Sequence, residues 1–162
     1  MQPHLFLDTE WANDATRELA SLAITNADGS LRFYAERDPL PSVPSTFVAR
    51  VVYPLLERGP VALPDAEFGM ALRHFISGFD NPVVHFDASL DRILLLRALA
   101  GFGRLVEEPI EFQTVLVTRQ DVLDRLEDYF STHPLQNSRR HHAGVDAEAL
   151  RWAFVEAGSR SG

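Results

Sequence analysis

Residues 4–36 read HLFLDTEWANDATRELASLAITNADGSLRFYAE, and the fold follows from how this stretch is divided. Residues 4–9, HLFLDT, form a short apolar run that ends in acid and read as a buried strand. Residues 19–26, LASLAITN, and 31–36, LRFYAE, read as two further strands. Asn26-Ala27-Asp28-Gly29 between them is turn-forming, so the two strands should pair as a hairpin.

Beyond this β-rich opening the pattern changes. Residues 37–45 carry Pro39, Pro41 and Pro44 and read as a loop, with a helix expected over 46–58 and disturbed by Pro54. Residues 65–78 are helical in pattern, because Phe68, Ala71, Leu72, Phe75 and Ile76 recur at helical spacing. A compact strand over 82–86 precedes a helix over 89–100, with Leu90, Ile93 and Leu94 on one face. A strand over 110–117, a helix over 119–131 with Val122, Leu123, Leu126 and Phe130 on one face, a polar loop over 133–141 and a helix over 144–157 complete the chain. Three strands followed by alternating helices and strands predict an α/β fold, a mixed sheet flanked by helices. The 162 residues show no repeat or linker and are expected to form a single domain over 1–162.

Composition narrows the function. Hydrophobic residues make up 46% and charged residues 23%, as in ordinary globular domains. The absence of Cys excludes disulfides, thiolate catalysis and Cys-ligated zinc, and it fits a cytoplasmic location. No apolar run reaches membrane-spanning length, and the opening MQPHLFLDTE does not read as a signal peptide. A net charge of −8 argues against a surface that grips nucleic acid by blanket positive charge. Acids clustered around divalent cations would reverse that field locally. Every basic residue apart from His is Arg, whose planar fork suits phosphate.

Three short patterns carry chemistry. Asp8-Thr9-Glu10 puts two carboxylates on one face of a strand, since residues i and i+2 point the same way. Such a pair repels unless it is protonated or bridged by a cation, and hard oxygen ligands favour Mg²⁺ or Mn²⁺. By itself the pair reads equally as a turn acid and a solvated strand end. In His85-Phe86-Asp87-Ala88-Ser89-Leu90-Asp91 a strand runs into a helix, with Asp87 or Ser89 placed to cap it. Asp91 falls in the first helical turn, where a negative charge is favoured anyway. In His141-His142-Ala143-Gly144-Val145-Asp146 an imidazole in a loop precedes an acid in a helix. Imidazole titrates near neutral pH and can take a proton from an attacking water.

Taken in order, D-x-E, an Asp in a helix after a strand, and H-x-A-x-x-D resemble the DEDDh group of 3′–5′ exonucleases. The chain is most similar to the small stand-alone bacterial exoribonucleases of that group. Phe6-Leu7-Asp8-Thr9-Glu10-Trp11, Glu18-Leu19-Ala20-Ser21-Leu22-Ala23, Asp28-Gly29 and His141-His142-Ala143 leading to Asp146-Ala147 carry the likeness. It covers most of the chain and is weaker over 45–80 and 102–135. The Asn that many relatives place before the middle Asp is missing, so Asp87 competes with Asp91; the apolar run Ile93, Leu94 and Leu95 favours Asp91.

The resemblance implies an RNase H-like fold and hydrolysis of phosphodiester bonds from the 3′ end to nucleoside 5′-monophosphates. Asp8, Glu10, Asp91 and Asp146 would hold two divalent cations, Mg²⁺ or Mn²⁺, with His141 as general base. Trp11 is a candidate for stacking on the terminal base, and Arg139 and Arg140 for clamping a phosphate. Glu18 matches the family pattern without a role that its chemistry explains. The expected partners are RNA or single-stranded nucleic-acid 3′ ends, and relatives that pair make a homodimer plausible. A DNA-directed exonuclease of the same fold and a catalytically idle binding scaffold are the competing readings. His4, His74, His85 and His133 are expected to have ordinary structural or surface roles.

Overall fold

The structure is a computed structural model that describes residues 2–103 and 109–159. Its centre is a six-stranded mixed sheet: β1 (His4–Trp11), β2 (Leu19–Asn26), β3 (Arg32–Arg37), β4 (Ala62–Leu63), β5 (Val83–Phe86) and β6 (Gln113–Leu116), in the order β4-β3-β2-β1-β5-β6. The expected hairpin is present: β2 and β3 pair antiparallel around the turn at Gly29, whose φ of 73° suits glycine. β1 also runs antiparallel to β2, while β5 lies parallel to β1 and β6 parallel to β5. This is the mixed sheet with flanking helices that the element order predicts.

Strand alternation divides the interior in two. Leu5 and Leu7 of β1 face α1 (Asp65–Ser77) and α2 (Ser89–Leu99), where they join Leu22, Ile24, Phe68, Leu72, Leu94 and Leu95 in the larger core. Phe6 points the other way, to Val122 of α3 (Gln120–Thr132) and to Leu150 and Ala153 of α5 (Ala143–Ser159). Burying a side chain of leucine size contributes roughly 1.5–3 kcal/mol, so both faces of β1 hold the sheet in place. The end of β1 lies between these two helical layers.

Three local expectations are corrected. The helix expected over 46–58 is helical only to Leu55 and is irregular: an α-helical start at 46–47 leads into a π-helical turn at Val48–Val52, which passes into a 3₁₀ turn at Tyr53–Leu55. Pro54 lacks an N–H and prevents propagation. The chain next makes a 3₁₀ turn at Gly59–Val61 and adds the two-residue β4, which pairs parallel with Glu36 and Arg37 and is too short to have shown a pattern. Within the expected loop 133–141 lies a one-turn helix, α4 (Pro134–Asn137), opened by a proline at its first position.

The third correction concerns α2. Ala88, and not Asp87 or Ser89, occupies the N-cap position, and Asp91 Oδ2 reaches back to accept a hydrogen bond from the Ala88 N–H at 3.2 Å. Among the described residues, no helix is long and apolar enough to cross a membrane.

Candidate metal centre

β1 delivers the first two acids. Asp8 and Glu10 follow Phe6 on the face covered by α5, because alternate strand residues share a face. Their neighbours across β2 are small: Asp8 pairs with Ala23 and Glu10 with Ser21. Ala23 packs against Ala143 and Ala147, which lets the first turn of α5 settle close to the strand. That close approach brings Asp146, in the first turn of this 17-residue helix, toward acids well over a hundred positions earlier in the chain.

Two groups of ligand-type side chains result. Glu10, His141 and Asp146 each offer a donor atom within 4.8 Å of the other two, and so do Asp8, Asp87 and Asp91. Every site residue expected to hold a cation is therefore in one group or the other. Asp87 and Asp91 share a group, so the competition between them dissolves into proximity of both. Asp91 is buried, with Oδ1 accepting from Thr9 Oγ1 at 2.6 Å and Oδ2 from the Ala88 N–H. Each of these oxygens keeps a second lone pair. Asp87 is exposed.

The free oxygens are informative. Asp8 Oδ2 and Asp146 Oδ1 are buried and accept no hydrogen bond among the described residues. Asp146 Oδ2 accepts from the backbone N–H of His141 at 3.0 Å. A buried carboxylate oxygen without a donor is costly unless a proton or a cation meets it. Oxygen donors with one imidazole, close together and partly unsatisfied, suit a metal ion, and both groups can hold one.

Electrostatics point the same way. Burial raises the Asp8 carboxyl well above the usual range, and Asp146, Asp91, Glu10 and Asp87 push it further. Burial, then the charges of Asp146 and Asp91, raises Glu10 to about 9. Asp91 rises to about 7, mainly through burial, against the opposing hydrogen bond from Thr9. Asp146 also rises to about 7 through burial, opposed by the His141 N–H and by Arg140. Four acids so placed cannot all ionise without added positive charge. Burial and the neighbouring Arg140 lower His141, which keeps its imidazole neutral near pH 7 and able to accept a proton.

The remaining candidates lie around this cluster with other commitments. The Arg140 guanidinium pairs with Glu127 and lies over the Phe130 ring, 4.6 Å from its centroid, while its charge reaches Asp146. Arg139 stands 3.6 Å from Glu57. Trp11 is half-buried against the larger core and donates from Nε1 to Asp14 at 3.2 Å. The Glu18 side chain is exposed, and its backbone carbonyl accepts from Ala12. His85 is buried against Phe6 and Phe154 and lies 2.7 Å from His4, a structural position as expected.

Sequence reasoning missed two neighbours. Thr9 steadies Asp91, yet strand alternation assigns it to the opposite face from Asp8 and Glu10; only the position of α2 reveals its role. Phe47, half-exposed, meets the His141 ring edge-on with centroids 5.0 Å apart. It lies at the start of the irregular helical segment over 46–55, and no motif marks it. No family model matches the chain, and no curated protein matches it either.

Proposed function

We propose that this chain is a metal-dependent 3′–5′ exonuclease, acting on RNA and releasing nucleoside 5′-monophosphates. The carrying observation is that Asp8, Glu10, Asp91, His141 and Asp146, dispersed in the sequence in the order of the DEDDh motif, meet in two adjoining groups of ligand atoms. Chance matches of short motifs seldom converge in space. The two buried oxygens on Asp8 and Asp146 that meet no donor among the described residues support the same reading.

In this mechanism Asp8, Asp91 and Asp87 would hold one divalent cation, and Glu10 and Asp146 a second, Mg²⁺ or Mn²⁺ by the preference of hard oxygen donors. Bound there, the cations would supply Lewis acidity at the scissile phosphate and at the departing 3′ oxygen. His141 accepts the proton of the attacking water. The water oxygen bonds to phosphorus as the bond from phosphorus to the 3′ oxygen breaks, and that oxygen takes up a proton from solvent as it leaves. The neutral state of the His141 imidazole suits the task. Arg140, beside Asp146, adds positive charge where the phosphate backbone would approach, and Trp11 offers a ring for the terminal base.

A 5′-labelled oligonucleotide tests the proposal directly. With Mg²⁺ or Mn²⁺ an RNA strand should shorten stepwise from its 3′ terminus, and EDTA should stop it. A matched DNA strand run in parallel reads the preference for ribose, which depends on contacts to the 2′ hydroxyl. Intact RNA and DNA in both cations would overturn the enzyme reading.

A further inference from the structure

The side chain next to His141 is anchored in a second polar network on the same face of the sheet. Register lays out two rows across the strands: Asp8, Ala23 and Tyr34 in one, Glu10, Ser21 and Glu36 in the other. The inner ends of these rows are the candidate metal centre. At the outer end, Glu36 is fully buried and accepts hydrogen bonds from the Tyr34 hydroxyl at 2.6 Å, the Glu57 N–H at 2.6 Å and the Arg58 N–H at 2.9 Å. A buried carboxylate with so many donors is rigidly fixed. It clamps the backbone at residues 57 and 58, although Arg58 must adopt a φ of 54° to fit.

The clamped segment projects the Glu57 side chain toward the loop that carries His141. Oε1 of Glu57 lies 3.2 Å from Nε2 of His142 and 3.6 Å from Arg139. His142 is itself buried, its ring stacked on Tyr34 at 4.6 Å between centroids. Its Nδ1 accepts from the Gly144 N–H at 3.2 Å, so Nε2 carries the hydrogen; buried and without a hydrogen-bond partner among the described residues, it has the Glu57 carboxylate as its charged neighbour. Gly144 makes room for this ring: a Cβ there would stand 3.1 Å from Cε1 of His142, a contact tight enough that the ring would have to shift. Tyr34 and Gly144 thus hold the His142 ring, and the Glu57 carboxylate flanks its Nε2.

His141 needs such a neighbour. Its φ is 74°, a left-handed conformation unusual for a non-glycine residue, which persists only where the surroundings over-determine it. A return to an ordinary φ would swing the ring away from Glu10 and Asp146. We infer that Glu57 is a positioning residue for His141, acting through the buried ring of His142. The inference rests on reading His141 as the proton acceptor of the proposed reaction. Glu57 touches neither ligand group; its carboxylate is half-exposed, and its removal opens no cavity in the core.

Glu57→Ala, Glu57→Gln and His141→Ala test this together. The first readout is the NMR spectrum of the histidine rings in the metal-free protein, with His141 assigned by its loss in His141→Ala. Glu57→Ala should move the His141 ring signals at unchanged Tm, and Glu57→Gln, whose amide oxygen still faces Nε2–H, should keep them in place. On an RNA substrate with Mn²⁺, Glu57→Ala should lower kcat about 10- to 100-fold with KM nearly constant, as expected for a misplaced reacting group.

Glu57→Gln should recover most of that loss, and Glu57→Ala should add nothing on the His141→Ala background. Unmoved His141 signals in Glu57→Ala, or a full additional loss on the His141→Ala background, would overturn the inference. If the unmodified protein cleaves nothing, the functional reading fails, while the ring signals still decide whether Glu57 positions His141.

Discussion

The backbone N–H of His141 donates to Oδ2 of Asp146 at 3.0 Å, while Oδ1 of the same carboxylate is buried and meets no donor among the described residues. One side chain thereby ties down the loop that carries the imidazole and keeps an oxygen in reserve for a cation. The H-x-A-x-x-D spacing has a structural reason in this bond: the loop residue must sit just before the first turn of α5 for its N–H to meet the acid inside that turn.

His141 can act as ligand or as base, and one substitution separates the two. It stands in the same group as Glu10 and Asp146 and is also held neutral. As a base, its loss should spare Mn²⁺ binding and reduce turnover about 100- to 10,000-fold. The deficit should narrow at alkaline pH, where hydroxide replaces the missing base. Calorimetric titration of His141→Ala with Mn²⁺, beside a pH profile of cleavage, checks this. A collapse of Mn²⁺ affinity would make it a ligand.

The raised carboxyls set the pH dependence of stability in the cation-free protein. A group whose folded pKa lies above its unfolded value binds more protons in the folded state, so stability falls as pH rises toward the folded pKa. The loss therefore begins near the unfolded carboxyl values of about 4; for Asp91 and Asp146 it is complete near pH 7, and Glu10 carries it on from neutrality to about pH 9. Below about pH 6.5 the lowered His85, His141 and His142 act in the opposite sense, because there the unfolded chain binds more protons. In EDTA, Tm should therefore fall from pH 7 to pH 9. Saturating Mn²⁺ should raise Tm and flatten the slope, since a cation favours the ionised acids. A Tm in EDTA that holds steady or climbs across this window would contradict the assigned protonation.

Thr9→Val isolates the support of Asp91. The change conserves shape and removes the 2.6 Å donor to Oδ1. Loss of a bond to a buried carboxyl should cost about 1–3 kcal/mol of stability. It should also weaken cation binding at neutral pH, because the Thr9 hydrogen bond holds the Asp91 pKa down. Urea unfolding and Mn²⁺ titration of the variant measure both effects. Unchanged values for both would show that Thr9 is incidental.

Much of this protein is legible in its residues taken one after another. The β1 run, the Gly29 hairpin and the helical spacing from Phe68 to Ile76 are local signals, set by strand alternation and helical period, and the sheet with its flanking helices follows from them. The same alternation orients Asp8 and Glu10 together, and the spacing of His141 from Asp146 is a local property of one loop and one helix start. Tertiary structure decided the rest. Small residues at Ala23, Ala143 and Ala147 let α5 approach β1, and only that approach turns distant acids into neighbours. Phe47, Thr9, Asp87 and the Glu36 to Glu57 to His142 link owe their places to packing between elements far apart in the chain. Periodicity reports which face a residue occupies, and contacts across layers depend on how closely those faces pack.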